Sequence, residues 1–121
     1  MIKISADHDI PQLNKLIRTS IDTNNIEINY LNHSDINNKN ISESEILLVR
    51  STTKVNKSLL ENTKIKFVAS ATSGINHLDI DYLESQKIKW GYAAGCNSSS
   101  VTHYVLAVIA ELIEKKKINY D

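Results

Sequence analysis

The sequence predicts an α/β domain with a mostly parallel five-stranded sheet and flanking helices. Residues 46–49 and 66–71 are short apolar runs without helical periodicity, which is typical of strands buried on both faces of a parallel sheet. Helical segments are predicted between these runs, and this alternation favours a parallel sheet. Small, hydroxylated and glycine residues follow three of the strands. We therefore expect these loops to lie together at one edge of the sheet, where ligands bind in such folds.

The amino-terminal part of the chain predicts two strands separated by a helix. Residues 2–5 form a short β-run, and Pro11 is suited to the first turn of a helix. The apolar face of that helix comprises Leu13, Leu16 and Ile17. Residues 26–30 alternate apolar and polar side chains, which indicates a strand with one solvated face. The Asn-rich stretch 32–40 is interpreted as a loop, with at most a short helical turn around Ile36.

The second part of the chain continues the alternation of strands and helices. Predicted strands lie at 46–49, 66–71 and 88–92, and predicted helices lie at 57–61, 79–86 and 99–117. The last helix has an apolar stripe at helical spacing. Its members are Val101, Tyr104, Val105, Val108 and Leu112. Lysines at its end would complement the negative end of the helix dipole.

Composition and charge argue against several classes of function. The 121 residues carry 14 Lys and Arg against 14 Asp and Glu, so no net field attracts the chain to nucleic acid or to an anionic membrane. Arg18 and Arg50 are the only arginines, which further weakens a nucleic-acid interpretation. The single cysteine, Cys96, excludes an internal disulfide and agrees with a cytoplasmic location. The longest apolar run, residues 105–110, is far too short to span a bilayer.

Two of the loops at the predicted edge have the chemistry of an anion site. The loop after residue 49 offers two cations, Arg50 and Lys54, with three hydroxyls between them. The loop after residue 71 adds two hydroxyls and Gly74, where a backbone can approach a ligand closely. Such groups suit a small carboxylate or phosphate. The alternative is that the cations are solvated and the hydroxyls satisfy the backbone of the turns.

His77 and Asp79 form a His-x-Asp pattern that allows two other hypotheses. With Ser51 or Ser73 the pair could form a hydrolase triad, but no Gly-x-Ser-x-Gly elbow is present. Two candidate metal ligands without a third also give a weak metal site, so no metal is predicted. The simpler interpretation is that Asp79 caps the following helix and His77 makes local contacts.

Three further patterns are also considered. Cys96 precedes a predicted helix, which would lower its thiol pKa, and His103 follows as a possible base, but we favour a small packed residue. His8 lies between Asp7 and Asp9 as in a response-regulator receiver, yet Arg50 stands where that fold needs an aspartate. No Gly-x-Gly-x-x-Gly or Walker motif occurs. The chain therefore has no nucleotide-binding fingerprint of its own.

Taken together, three loops resemble those of a known family. They read Arg-Ser-x-Thr-Lys-Val-Asn over residues 50–56, Thr-x-Gly-x-x-His-x-Asp over 72–79, and Gly-Cys-Asn over 95–97. These motifs resemble the erythronate-4-phosphate dehydrogenases, a branch of the D-isomer-specific 2-hydroxyacid dehydrogenases. The resemblance extends from Asp7 and Pro11 to the last helix. It implies a flavodoxin-like substrate lobe and NAD-dependent oxidation of 4-phospho-D-erythronate to the 2-oxo acid in vitamin B6 synthesis.

The resemblance also implies roles for individual residues. Ser51 and Thr72 match the family's substrate-binding positions, and Arg50 and Gly74 match flanking residues of the same motifs. The substrate bears a carboxylate and a phosphate, which agrees with the anion site read from the loops. No catalytic, NAD-binding or metal-binding residue is expected within this sequence.

The resemblance further implies how the chain divides into domains. Residues 1–97 would form an incomplete substrate-binding lobe, and residues 98–121 an interdomain helix that leads to a Rossmann domain absent from this sequence. The chain alone is therefore expected to bind NAD negligibly and to be inactive. The family is homodimeric, and the isolated chain is expected to self-associate through its last helix.

Two alternatives to the enzyme hypothesis remain open. The chain could be an orphan module that binds a phosphorylated sugar acid without chemistry, or an inactive remnant of a gene. Saturable binding of the substrate, measured through the fluorescence of Trp90, would favour the module over the remnant.

Overall fold

The computed structural model contains a five-stranded parallel sheet. It describes residues 2–10, 26–71 and 74–92, with the single positions Leu13, Lys15, Arg18, Ala107 and Ala110. The strands are β1 (Ile2–Asp7), β2 (Ile26–Leu31), β3 (Ile46–Val49), β4 (Phe67–Ser70) and β5 (Lys89–Tyr92). Their order in the sheet is β2-β1-β3-β4-β5, and every pair is parallel. This is the flavodoxin-like order, so the predicted fold class is confirmed.

The central strands β3 and β4 are buried along their whole length. Alternate side chains of a strand point to opposite faces of the sheet, and the core accordingly divides into two clusters. Ile46 and Leu48 of β3 belong to one cluster, and Leu47 and Val49 belong to the other. The first cluster also takes in β1, and the second takes in residues from the helices. The apolar runs therefore form strands covered on both faces, as predicted.

The first strand is longer than the sequence pattern indicates. We predict a strand over residues 2–5, but β1 continues through Ala6 and Asp7. Both added residues are fully buried and pair with Tyr30 and Leu31 of β2. The charge of Asp7 argues against a buried strand position when only the neighbouring sequence is considered. In the folded chain, Arg50 supplies the opposite charge.

Short helices connect the strands, and asparagine side chains cap two of them. Among the described residues, the helices with defined bounds are α1 (Asn38–Ile41), α2 (Lys57–Leu60) and α3 (Ile80–Ser85), and a 3-10 turn at His33–Asp35 precedes α1. Asn37 Oδ1 accepts the Asn40 N–H at 2.9 Å, and Asn56 Oδ1 accepts the Leu59 N–H at 3.1 Å. The Asn-rich stretch therefore contains more helix than the expected loop, because asparagine is a good N-cap and Ile41 is fully buried.

Several predicted features lie outside the described residues. They include most of the helix after Pro11, the loop with Cys96 and Asn97, the base candidate His103, and the stripe residues of the last helix. Of these two helices, Leu13 is helical and buried, and Ala107 and Ala110 are helical and exposed. Within the described residues, no helix is both long and apolar enough to cross a membrane.

The packing of β3 generates a prediction about stability. Leu47 is fully buried between the sheet and its helices, so Leu47→Ala should lower the free energy of unfolding by about 2–5 kcal/mol. Urea unfolding followed by circular dichroism measures this change. Leu31→Ala is the matched control, because Leu31 is only half-buried at the end of the edge strand β2. Equal losses in the two variants would contradict the two-sided burial of β3.

Candidate functional site

The carboxyl ends of the central strands bring the candidate residues to one edge of the sheet. Asp7 ends β1, Arg50 follows β3, and Ser70 ends β4. The register pairs Val49 with Ser70 and Ala6 with Leu48, so the three strand ends are adjacent. The loops after β3 and β4 therefore start side by side, as predicted. The loop after β1 joins them although the sequence does not predict it at this edge, and the predicted loop after Tyr92 lies outside the described residues.

A backbone bridge joins the loop after β3 to the loop after β4. The Val55 N–H donates to the His77 carbonyl at 2.8 Å, and the Asp79 N–H donates to the Val55 carbonyl at 2.8 Å. The two hydrogen bonds make a parallel bridge between Val55 and Leu78, whose side chains are both buried. The two loops thus begin on neighbouring strands and meet again at their far ends. This arrangement limits how far apart their polar residues can move.

Arg50 is held at this edge by two carboxylates. Its Nε lies 3.2 Å from Asp7 Oδ2, and its Nη2 donates a hydrogen bond to Asp9 Oδ2 at 3.3 Å. The first contact is not aligned as a hydrogen bond, and neither of its atoms has another hydrogen-bond partner among the described residues. The attraction between Arg50 and Asp7 is therefore one of opposite charges. The cation predicted to bind an anion is already engaged in the chain.

The two carboxylates differ in exposure. The Asp7 side chain is 0% exposed, whereas that of Asp9 is 51% exposed. Asp7 Oδ1 also accepts the Asp9 backbone N–H at 2.9 Å, which fixes the turn after β1. Asp7 is thus a rigid partner for Arg50, while Asp9 is a partner that solvent can reach.

The Asp7, His8 and Asp9 side chains could also be considered as a metal site. Their ligand atoms lie within 4.8 Å of one another, and His8 Nδ1 is 3.4 Å from Asp9 Oδ1. However, the Arg50 guanidinium contacts both carboxylates and supplies the positive charge that a metal ion would bring. We therefore assign no metal to this cluster.

His77 and Ser70 form the second polar contact of the edge. His77 Nε2 lies 2.7 Å from Ser70 Oγ, and the contact closes the loop that contains Thr72 and Gly74. Ser70 is fully buried, and burial lowers the pKa of the His77 imidazole below its ordinary value. A neutral imidazole can donate or accept in this contact, depending on its tautomer. This contact ties the start of the loop to its end.

The geometry favours the simpler interpretation of the His-x-Asp pattern. Asp79 Oδ1 accepts the Tyr82 N–H at 3.1 Å and so caps α3, as predicted. His77 contacts Ser70, which was not among the serines considered for a triad. The two residues therefore serve local structure, and the described contacts assemble no hydrolase triad.

The structure describes some of the predicted substrate residues and not others. Ser51 is exposed in the turn after β3. Gly74 is exposed, and a Cβ added to it would meet no atom within 4 Å, so its surroundings are open. Thr72 lies outside the described residues, as does Ser73. Of the other polar residues in the first loop, Lys54 is exposed, whereas Thr53 is buried with no hydrogen-bond partner for Oγ1 in the described part of the chain.

Sequence reasoning missed Asp7, Asp9 and Ser70 as parts of this edge. The run Asp7-His8-Asp9 is evident in the sequence, but the sequence does not reveal that Arg50, 41 residues beyond Asp9, contacts both carboxylates. A signal was nevertheless present, because a charged residue directly after a buried strand requires a partner. Arg50 is the corresponding residue after β3.

The lowered pKa of His77 generates a prediction about pH. The unfolded chain binds a proton to His77 more readily than the folded chain does. Stability from His77 is therefore complete above the ordinary histidine pKa and declines as the pH falls through it. We expect the midpoint urea concentration of unfolding to be lower at about pH 5.5 than at about pH 7.5, two values that lie on either side of that pKa. It should fall less in His77→Gln.

His33→Gln provides the control for this measurement, because His33 is exposed in the 3-10 turn. It should show the same pH dependence as the unmodified chain. If His77→Gln and His33→Gln respond identically to pH, the burial of His77 has no influence on stability.

Comparison with known sequences relates the chain to one family of dehydrogenases. The sequence profile of the D-isomer specific 2-hydroxyacid dehydrogenase, catalytic domain, matches residues 6–107. The erythronate-4-phosphate dehydrogenase of Hahella chejuensis (strain KCTC 2396) is 44% identical over 114 residues, covering 94% of this chain and 29% of that protein. That of Marinomonas sp. (strain MWYL1) is 38% identical over 119 residues, covering 98% of this chain and 30% of that protein. The chain thus spans less than a third of the length of these curated relatives.

Comparison with solved structures agrees with the fold. The D-lactate dehydrogenase of Aquifex aeolicus, solved with NAD and lactic acid, superimposes with a TM-score of 0.61 and 18% identity. The match covers 98% of this chain and 38% of that one. At this identity the likeness concerns the fold alone. The profile match over most of the sequence establishes that the chain belongs to the D-isomer specific 2-hydroxyacid dehydrogenase family, in the region of its catalytic domain.

Proposed function

We propose that the chain is the N-terminal substrate-binding portion of an NAD-dependent 4-phospho-D-erythronate dehydrogenase. The observation that carries this proposal is the 44% identity to an erythronate-4-phosphate dehydrogenase across 94% of the chain. The reaction would oxidise the 2-hydroxy acid to the 2-oxo acid within pyridoxal 5'-phosphate synthesis. The substrate would carry a carboxylate and a phosphate, and both are anions at neutral pH.

The geometry of the edge supports binding of such a substrate. Ser51 and Gly74 lie on the two loops that the Val55–Leu78 bridge joins. The Ser51 hydroxyl can donate a hydrogen bond to an anionic oxygen, and the open surroundings of Gly74 leave room for a ligand beside the backbone. Arg50 supplies positive charge at the same edge. Thr72 belongs to this proposal through the family motif alone, because it lies outside the described residues.

The described residues do not fit the cofactor itself. Pyrophosphate binding in this class of fold uses a glycine-rich turn between a strand and a helix. The sequence has three glycines and no such turn. Gly91 is buried inside β5, and Gly74 lies in a loop without the motif. We therefore assign NAD to a nucleotide-binding domain outside this sequence, and no step of hydride transfer to the residues of this chain.

The domain division follows from the same proposal. Residues 1–97 would form the substrate lobe, and residues 98–121 would form the helix that leads to the nucleotide-binding domain. The assembled enzyme would act as a homodimer on a small-molecule substrate. Catalytic acid, base and arginine residues would be supplied by the remainder of the enzyme.

Removing the Ser51 hydroxyl tests the substrate site. In the complete gene product that contains this segment, Ser51→Ala should reduce kcat/KM for 4-phospho-D-erythronate by about tenfold or more, because a hydrogen bond to a charged group is worth about 1.5–3 kcal/mol. The decrease is measured by NADH formation at limiting substrate. Ser58→Ala on the exposed face of α2 makes the same chemical change away from the edge and should have no effect.

The outcomes of this assay also separate the alternative functions. NAD-dependent turnover that Ser51→Ala leaves unchanged would remove Ser51 from the substrate site. A complete product that binds 4-phospho-D-erythronate without forming NADH would instead be a binding module. A product that neither binds nor turns over the compound would be an inactive remnant.

The chain of 121 residues should form no NADH on its own. It carries no glycine fingerprint, so neither cofactor binding nor hydride transfer is expected from it. The measurement is absorbance of NADH after mixing the purified chain with NAD and 4-phospho-D-erythronate. The complete gene product serves as the positive control, and turnover by the isolated chain would place catalytic groups within it.

A further inference from the structure

We propose that the Asp9 carboxylate occupies the Nη2 side of the Arg50 guanidinium in the ligand-free chain, and that a bound anion displaces this carboxylate. In this arrangement Asp7 is the positioning residue that holds the guanidinium when Asp9 leaves. The inference deepens the proposed function and rests on it for the identity of the natural substrate. The displacement itself requires only an anion of suitable size.

Asp7 has the properties of a permanent partner. Its side chain is completely buried at the end of β1, and its Oδ1 is committed to the Asp9 N–H. Its Oδ2 faces Arg50 Nε at 3.2 Å and has no hydrogen-bond partner in the described part of the chain. A buried carboxylate without a countercharge is strongly unfavourable. Asp7 therefore keeps the Nε side of the guanidinium in place whatever binds to the other side.

Asp9 has the properties of an exchangeable partner. Its side chain is half exposed, and it accepts one hydrogen bond of 3.3 Å from Arg50. Ion pairs that solvent can reach contribute little to stability and are weakened by salt. The Asp9 backbone is anchored separately, through its N–H to Asp7. Its side chain can therefore turn away from Arg50 without unfolding the turn after β1.

The guanidinium retains donors for a ligand after Asp9 leaves. Arginine has five N–H donors in a planar fork, and the described contacts use the Nε edge and one Nη2 donor. No other acceptor for Arg50 is found within residues 2–10, 26–71 and 74–92. Departure of Asp9 would free the Nη edge for bidentate binding of a carboxylate or phosphate. The Arg50 side chain is 27% exposed, so a ligand can reach it from solvent.

The Asp9→Asn variant tests the displacement. It removes the competing charge, so the chain of 121 residues should bind inorganic phosphate about two- to fivefold more tightly, as expected from the loss of one exposed ion pair. Binding is followed by NMR through the Nε–Hε signals of the arginines. Arg18→Lys identifies which signal belongs to Arg50, because these are the only two arginines. Phosphate should shift the Arg50 signal saturably in both proteins, and Asp9→Asn should need less phosphate than the unmodified chain to reach half of the full shift.

Glu61→Gln is the matched control. It also removes one exposed carboxylate, but Glu61 lies at the end of α2, which leads to the opposite edge of the sheet. It should change phosphate affinity by less than about 1.5-fold, because salt screens the effect of a distant charge. Equal effects of Asp9→Asn and Glu61→Gln would overturn the proposal, since the gain would then reflect net charge alone.

Asp7→Asn tests the positioning role in the same titration. It should weaken phosphate binding by about threefold or more, because the guanidinium loses its fixed partner. If this buried variant does not fold, the Asp9→Asn result decides the proposal alone. Absence of phosphate binding in both the unmodified chain and Asp9→Asn would overturn it, as would unchanged or weaker binding in Asp9→Asn.

A second titration with 4-phospho-D-erythronate separates this inference from the proposed function. If Asp9→Asn tightens phosphate binding but 4-phospho-D-erythronate binds no better than phosphate, the displacement is supported and the substrate assignment fails. If 4-phospho-D-erythronate binds much better than phosphate but Asp9→Asn improves neither, the displacement is wrong and the substrate assignment stands.

Discussion

The burial of β3 and β4 on both faces is the constraint on which the rest of the described structure depends. Each strand has only four residues, and every one of them is buried. A shift of register by one residue would move each side chain to the opposite face. Two-sided burial requires cover on both sides of the sheet, which crossover connections supply in parallel sheets. The same geometry brings the loops after β3 and β4 to one edge, where the Val55–Leu78 bridge can form.

The polar edge is coupled to this core through Asp7. Taking a carboxylate out of water costs several kcal/mol, and removing one partner of a buried pair typically costs about 3–5 kcal/mol. Arg50 is the countercharge in the described structure, so it stabilises the end of β1 in addition to its proposed role in anion binding. Loss of binding in an Arg50 variant would therefore be ambiguous, because the fold would change as well. Exposed residues such as Asp9 and Ser51 separate the two roles more cleanly.

Local patterns in the sequence predict most of the fold, and they fail where a distant partner decides. The apolar runs of β3 and β4, the cap at Asp79 and the local contact of His77 follow from spacing and residue type. The burial of Asp7 could not be predicted in this way, since its partner lies on another strand. The helix α1 was missed because a single turn has almost no periodicity. Asn37 caps this helix, but asparagine also favours loops, so residue type alone does not predict the cap.

The candidate site shows the same division between local and distant information. The motif positions Ser51 and Gly74 fall in loops at the expected edge, because parallel strands place their carboxyl ends together. What the motifs do not reveal is the charge balance at that edge. Arg50 was expected to be an available cation, whereas two carboxylates from the turn after β1 contact it. Sequence motifs describe one loop at a time, and this balance arises between loops.

The fold alone does not determine which acid this lobe would bind. The likeness to a D-lactate dehydrogenase extends over 98% of the chain at only 18% identity, so similar strands and helices are built from different residues. Function resides in sites placed on a fold and not in the fold itself. Under the proposed function, discrimination between a plain and a phosphorylated hydroxy acid would come from the edge loops. Under the same proposal, a second anionic group on the substrate would need a second source of donors, and displacement of Asp9 would free charged donors on Arg50.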